Sequence, residues 1–332
     1  MKEKPVTQFI ETHFLHCNAG KINRASQDLY KHIEKGGKLI VTLAGAASSF
    51  QIGTLLAPLI RNGKVHAISC TGANFEESFY RHVAHSHYAP IYNYEELTPD
   101  EEAKLRDAGK RRITDTFLPE EESVRIIEPH LLRFWKEANE QKKEYMWHEF
   151  FWRLFDEDCI PKDPAAKDED CWVKAAYEKK IPVFIPGYED STMGNIFAGY
   201  TFEGKINGKY FEPQFDPRIV KSAISYMHSL YDWYSRASTP PGVAFLQLGG
   251  GIAEDFPICV VPSLRHDLVT KVPSWAYFCE ISSSPMSYGS YSGAGGKEKI
   301  TWDKLDPETP YFIIQSDYTI VFPLMAAKLL DM

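Results

Sequence analysis

The sequence predicts an α/β protein with a doubly wound, mainly parallel, Rossmann-like sheet, helices on both faces, and a helical excursion inserted into it. Two observations carry this. Six short β-rich runs are continuously apolar rather than alternating, the pattern of strands buried on both faces. Most of them pass through small or polar residues into a helical pattern, the strand–loop–helix cadence of a parallel sheet. The composition agrees, because 44% of the 332 residues are apolar and 25% are charged, enough material for a large core.

Residues 1–37 are expected to form an N-terminal helical extension. KLIVTLA (Lys38 to Ala44) and VHAISCT (Val65 to Thr71) read as the first two strands, with helices expected over Gln51 to Arg61 and Phe75 to His85. Between His87 and Lys180 the strand signal disappears. Aromatic-rich helices over Glu121 to Asn139 and Glu149 to Phe155 and the charged connector Pro161 to Asp170 mark residues 87–180 as a helical excursion. The strand cadence then resumes. Strands are expected at Ile181 to Gly187, Val243 to Leu248, Ser274 to Ile281 and Tyr311 to Asp317, with helices at Met193 to Tyr200, Pro217 to Tyr234 and Tyr318 to Leu330. Because the same cadence continues after the excursion, residues 1–332 are read as a single domain.

The formal net charge of −8 provides no basic field to attract nucleic acid or an anionic membrane. An acidic surface suits cationic partners, polyamines among them. No window approaches the roughly 18 unbroken apolar residues of a membrane span, and the N-terminal stretch has no apolar core of a secretory signal. Six cysteines lie scattered without a C-x-x-C pair and read as reduced, mostly buried thiols. Together these features point to the cytoplasm.

Ligands of such a sheet bind beyond the carboxyl ends of its strands, so the chemistry is sought there. AGAASSFQIG (Ala44 to Gly53), TGANFEES (Thr71 to Ser78) and Gly249–Gly250–Gly251 are small-residue turns that let backbone N–H groups approach a phosphate. None is a G-x-G-x-x-G motif, and each alone reads as a tight βα turn; several in one chain favour a dinucleotide. Asp190 and Ser191, after the third run, and Asp317, after the last, can cap the next helix or hold ribose hydroxyls. SYGSYSGAGGKEKITWDKL (Ser287 to Leu305) is a loop too long and small-residued to be ordered without covering something. It ends in Glu298, Trp302 and Lys304. A Trp face beside a carboxylate can seat an alkylammonium, and a lysine among aromatic groups can become a Schiff-base nucleophile. A surface lysine beside a packing Trp fits the same spacing. His82, His85 and His87 lack companion ligands for zinc and read as a polar helix end, so no metal site is expected. No serine sits in a G-x-S-x-G elbow.

Taken in order, these segments resemble the deoxyhypusine synthase family over roughly Lys38 to Leu330, and look most like its bacterial deoxyhypusine synthase-like branch. The carrying residues are Thr71 to Glu77, Glu189 to Asn195, Leu248 to Gly251, Gly289 to Ala294, Glu298, Trp302 to Lys304, Ser316–Asp317 and Val321 to Leu324. The resemblance implies an NAD-dependent transfer of an aminobutyl group. NAD takes a hydride from spermidine, a diamine leaves, and the butylimine passes to a lysine, then to an acceptor amine, before the retained NADH reduces it. It makes Lys304 the nucleophile and gives the polyamine Glu77, Asn195, Asp255, Tyr291, Glu298 and Trp302. It assigns NAD to Gly45, Ala46, Ser49, Thr71, Gly72, Ala73, Asn74, Glu76, Asp190, Gly250 and Asp317. It also implies a homotetramer with sites at a dimer interface.

Four positions depart from the family pattern. Asp303 replaces a glycine between Trp and Lys, and Asp255 replaces the histidine of the eukaryotic pattern. Asn195 and Tyr291 stand where acids are usual. Aspartate tolerates a positive φ better than most residues, but its charge beside Lys304 would favour the protonated, inert amine. The implied acceptor is a protein lysine. Transfer to a free diamine, as in homospermidine synthesis, and a non-catalytic NAD-binding protein are the other readings; a plain dehydrogenase would not need the Glu–Trp–Lys cluster.

Overall fold

The computed structural model describes residues 4–332. Six strands, β1 (Lys38–Leu43), β2 (Ala67–Cys70), β3 (Val183–Phe184), β4 (Val243–Leu248), β5 (Tyr277–Ser282) and β6 (Tyr311–Gln315), form one sheet in the order β6-β5-β4-β1-β2-β3. Every neighbouring pair is parallel, and β1 lies against β4 in register along its whole length, from Lys38↔Val243 to Leu43↔Leu248. The chain winds outward to β3, returns beside β1, and winds the other way to β6. The sheet is therefore doubly wound, and its topological switch point lies between β1 and β4.

The continuous apolar runs are explained by burial on both faces. Strands β2, β4 and β5 are buried throughout, as is all of β1 after Lys38. On one face the helices Cys17–Glu34, Tyr318–Leu329, Gly53–Arg61 and Trp172–Lys179 pack in succession; Ala223–Ala237 and Ile252–Ile258 cover the other. The N-terminal segment docks as two helices, Pro5–His13 and Cys17–Glu34, and Tyr277 Oη ties the second to the sheet through a 2.9 Å bond to Ala25 O.

The structure departs from the sequence expectations at four points. The excursion is not wholly helical, because Ala89–Pro90, Thr116–Leu118 and Arg111–Ile113 form a three-stranded antiparallel sheet. Strands of two or three residues are too short to display a period of two. A second hairpin, Gly204–Ile206 with Lys209–Phe211, turns at Asn207 and Gly208 with φ of 49° and 81°. An Asn-Gly pair is the strongest short hairpin signal, and it was present in the sequence. Strand β3 pairs over only two residues of the expected seven, because Pro182 and Pro186 bracket it and cannot donate to a ladder. Of the six cysteines, all free, only Cys70, Cys171 and Cys279 are buried, rather than most. Among the described residues no helix is long and apolar enough to cross a membrane.

Candidate active site

The switch point opens as a cleft of about 870 Å³, lined by Gly45 and Ala46 after β1, Gly249 to Gly251 after β4, Ser282 to Ser284 after β5, and Ser316–Asp317 after β6. The glycines answer to backbone conformation at two positions and to crowding at two. Gly249 and Gly251 have φ of 97° and 102°, a region L side chains avoid. A Cβ on Gly249 would stand 2.7 Å from Ala44 Cβ, and one on Gly250 would collide with Ser292 Oγ. The backbone alone thus forms the floor where β1 and β4 diverge. Asp317 caps the last helix through a 2.7 Å bond from Thr319 N to Oδ1, leaving its other oxygen to solvent. Cap and ligand roles are compatible there. A glycine floor, a row of serines and a half-free carboxylate at the switch point fit the diphosphate and ribose of a dinucleotide. Thr114 and Asp115, the tip of an excursion hairpin, also line the cleft, which the sequence did not suggest.

A second cleft of about 840 Å³ holds Asp255, Tyr291, Glu298, Lys299, Trp302 and Lys304. Its geometry follows from one helix end. Within the small-residue loop, Gly296–Thr301 is helical, and it stops in a Schellman motif: Lys304 N bonds Lys299 O and Asp303 N bonds Ile300 O, both at 3.0 Å. The position between Trp302 and Lys304 is the left-handed residue of that motif, with φ of 57° at Asp303. This accounts for a glycine being usual there and for an aspartate being tolerated. The Asp303 carboxylate does not face Lys304. It lies 2.6 Å from Arg265 Nη1 and 3.2 Å from His266 Nε2, so its charge is held by a neighbouring cation. Tertiary packing therefore turns Asp303 away from Lys304, and the carboxylate that pairs with the lysine is that of Asp255 instead.

Lys304 is buried, with Nζ 3.3 Å from Asp255 Oδ1 and 5.7 Å from the Tyr291 ring centre. Trp302 is 64% exposed, a large apolar face beside the exposed Glu298. Ser290 and Tyr291 line both clefts, and Tyr291 donates 3.2 Å to the buried Gln247 on β4. The two clefts thus share one wall.

The remaining sequence candidates lie elsewhere. Asn74 is fully buried and staples two loops: its Nδ2 donates to Leu43 O, Gly45 O and Thr71 Oγ1, and its Oδ1 accepts from Ser48 N. Thr71 caps the helix Gly72–Ala84, Gly72 lies against Tyr188 and Ser191, and Ala73 is half-buried. Glu76 accepts from Ser191 Oγ, Met193 N and Tyr80 Oη; Glu77 accepts from Ser49 Oγ. These residues tie the ends of β1, β2 and β3 together behind the first cleft. Asp190 is exposed, and Asn195, also exposed, bonds Ser191 O at 2.6 Å; neither reaches the Lys304 cleft of its own chain. Ser191, not Asp190, caps the helix Thr192–Thr201. His82 is buried beside Phe155, and burial pushes its pKa down to about 4.

Burial pushes the Glu76 carboxyl up to about 7, against its three donors, and Glu77 up to about 6. A carboxyl that holds its proton more tightly when folded makes unfolding easier as pH rises from the unfolded pKa to the folded one. These two carboxyls are expected to contribute a fall in stability from about pH 4.5 to 7, and Glu76→Gln should remove its part of that slope. Urea denaturation across this range checks it; an identical slope in the variant would count against the assignment.

Three buried titratable groups went unread. Glu280 sits inside the apolar run of β5, Glu254 follows the triple glycine, and Lys299 lies in the small-residue loop; all three are buried. A charged residue inside an otherwise apolar strand was the available signal for Glu280. Burial pushes Glu280 up to about 7 and Glu254 well above the ordinary carboxylate range.

The family model described as deoxyhypusine synthase matches residues 10–329. The chain belongs to the deoxyhypusine synthase family. It is 27% identical over 331 residues to a deoxyhypusine synthase-like protein of Nostoc sp. strain PCC 7120, covering 98% of this chain and 81% of that one. It is 26% identical over 276 residues to the "Probable deoxyhypusine synthase" of Sulfurisphaera tokodaii, covering 83% of this chain and 76% of that one. A solved structure of a candidate deoxyhypusine synthase from Entamoeba histolytica superposes with a TM-score of 0.53 at 10% identity, covering 97% of this chain and 91% of that one, which extends the likeness to the fold.

Proposed function

We propose that this deoxyhypusine synthase family member is an NAD-dependent transferase that moves an aminobutyl group from spermidine, or a related polyamine, through an imine on Lys304 to an acceptor amine. The observation that carries the reading is the shared Ser290–Tyr291 wall. It sets a glycine-floored cleft of dinucleotide type against a cleft holding a buried lysine, an exposed Trp face and carboxylates. A hydride can pass between two ligands only where their sites adjoin.

NAD, when bound, would accept a hydride from the carbon beside the polyamine's secondary nitrogen and later return one. The chain's residues do the rest. Gly45, Ala46, Gly249 to Gly251 and Asp317 would hold the cofactor; Trp302 and Glu298 would hold the cationic substrate at the mouth of the second cleft. Asp255 is placed to take the proton Lys304 loses before attack. Lys304 then displaces the diamine from the substrate imine, and the acceptor amine displaces Lys304 in turn. The acceptor in this reading is a protein lysine. Residues 1–332 act as one NAD-binding unit, supported by a continuous apolar core from Ile22 to Leu329. A homotetramer is proposed as well, supported by the exposed apolar side chains of Met286, Tyr288, Leu268 and Trp302, which a second copy could cover. A cytoplasmic location fits this chemistry and the thiols.

Calorimetry of purified protein tests both clefts together. Asp317→Ser keeps a helix cap while withdrawing the carboxylate, and should weaken NAD binding. Trp302→Ala should weaken polyamine binding by about 0.5–2 kcal/mol, the range for a cation–π contact. No affinity of the wild type for NAD or NADH would end the cofactor claim. Mass analysis of products formed with NAD and spermidine, offering a protein lysine or putrescine, identifies the acceptor.

A further inference from the structure

We propose that Lys299 occupies, with the chain's own ammonium, a cation cage at the inner end of the amine cleft, leaving ligand amines only the outer positions at Asp255, Glu298 and Trp302. The inference rests on the reading of this cleft as an amine site and names its specificity.

Lys299 is 2% exposed. Its Nζ donates 3.0 Å to Ala294 O, lies 3.6 Å from Glu280 Oε2, and stands 4.9 Å and 5.0 Å from the ring centres of Phe278 and Tyr291. A carboxylate, a carbonyl and two aromatic faces are the groups with which proteins bind alkylammonium ligands. The cage is a cation site by its own composition. Glu280 is fully buried, and neither of its oxygens has a hydrogen-bond partner. Buried there, Glu280 keeps its charge only beside a cation, and the ammonium 3.6 Å away is that of Lys299. Lys299 also borders the ligand space, and the ring of Tyr291 lies beneath both lysines, 5.0 Å from Lys299 and 5.7 Å from Lys304.

The resident lysine therefore caps the number of charges a single ligand can bury. A diamine satisfies the outer carboxylates. The third ammonium of a triamine finds its inner position already filled and stays at the mouth. Because Lys304 N bonds Lys299 O, the same cage also anchors the turn that carries Lys304.

Calorimetry and thermal denaturation of three proteins test this: wild type, Lys299→Ala, and the double variant Lys299→Met with Glu280→Gln, which carries no charge in the cage. Lys299→Ala is expected to bind n-butylammonium and spermidine at least tenfold more tightly than wild type. Millimolar ethylammonium should raise its Tm while leaving that of wild type unchanged. The double variant should show neither gain. Equal amine affinities in wild type and Lys299→Ala would overturn the proposal, as would a Lys299→Ala protein that ethylammonium fails to stabilise or to recover in folded form. A borohydride-trapped substrate adduct on Lys299 in wild type would overturn it too, since a caged ammonium cannot attack. If wild type binds no polyamine, the functional reading fails, and the ethylammonium arm still decides the cage.

Discussion

Replacing Lys304 by alanine is expected to abolish the borohydride-trapped adduct and to lower turnover by at least about 10³-fold, the scale on which removal of a covalent nucleophile acts. The expectation rests on position. Lys304 is one of two buried amines of a cleft that adjoins the dinucleotide-type cleft, and the one with Asp255 3.3 Å away to receive its proton. Lys304→Arg is the informative companion, because arginine keeps the charge and can keep the pairing with Asp255 but cannot form an imine. Both variants should still bind NAD. Trapping with NAD and spermidine, followed by peptide mass mapping, should place an aminobutyl mass on the peptide containing Lys304. An adduct on another lysine would preserve the chemistry and move the site. No adduct with any polyamine, while NAD still binds, would make the chain a non-catalytic NAD-binding protein.

Asn74→Ala is expected to cost about 2–4 kcal/mol of stability, because it strands several buried backbone and hydroxyl groups at once. The side chain is fully buried and bonds Ser48 N at 3.0 Å, Gly45 O at 2.8 Å, Leu43 O at 3.2 Å and Thr71 Oγ1 at 3.0 Å. Asn74→Asp should not rescue it, since a carboxylate would face two carbonyls that need a donor. NAD affinity should fall as a secondary effect, because Gly45 and Ala46 line the first cleft. Urea denaturation reads the loss. A variant as stable as wild type but unable to bind NAD would make Asn74 a direct cofactor contact instead of a staple.

The chain order of the fold was legible because the strands near the switch point are buried on both faces. Burial on both faces makes KLIVTL, AISC, VAFLQL and YFCEIS apolar without alternation. The turns that follow were legible for a local reason as well: Thr71, Ser191 and Asp317 each cap the helix they begin, a contact spanning only two or three residues. What escaped was short or non-local. The strands of the excursion are two or three residues long, and β3 is cut to two by its prolines.

Within the candidate site, the sequence determined the kinds of group available: a triple glycine, a Trp–Asp–Lys segment, and an acid at each of several strand ends. Tertiary structure alone decided how they meet. Asp303 is neutralised by Arg265, 38 residues away, and Lys304 is paired with Asp255, 49 residues away. Glu76, assigned by the resemblance to NAD, and Glu77, assigned to the polyamine, have carboxylates that bond Ser191 and Ser49. Lys299 and Glu280 meet because the helix Gly296–Thr301 packs against the end of the sheet that carries β5 and β6. Periodicity and caps are contacts over a few residues, which a sequence displays directly. The direction a carboxylate takes depends on which distant cation the packed core brings within about 4 Å, where the Coulomb energy in a partly buried setting outweighs thermal energy several-fold.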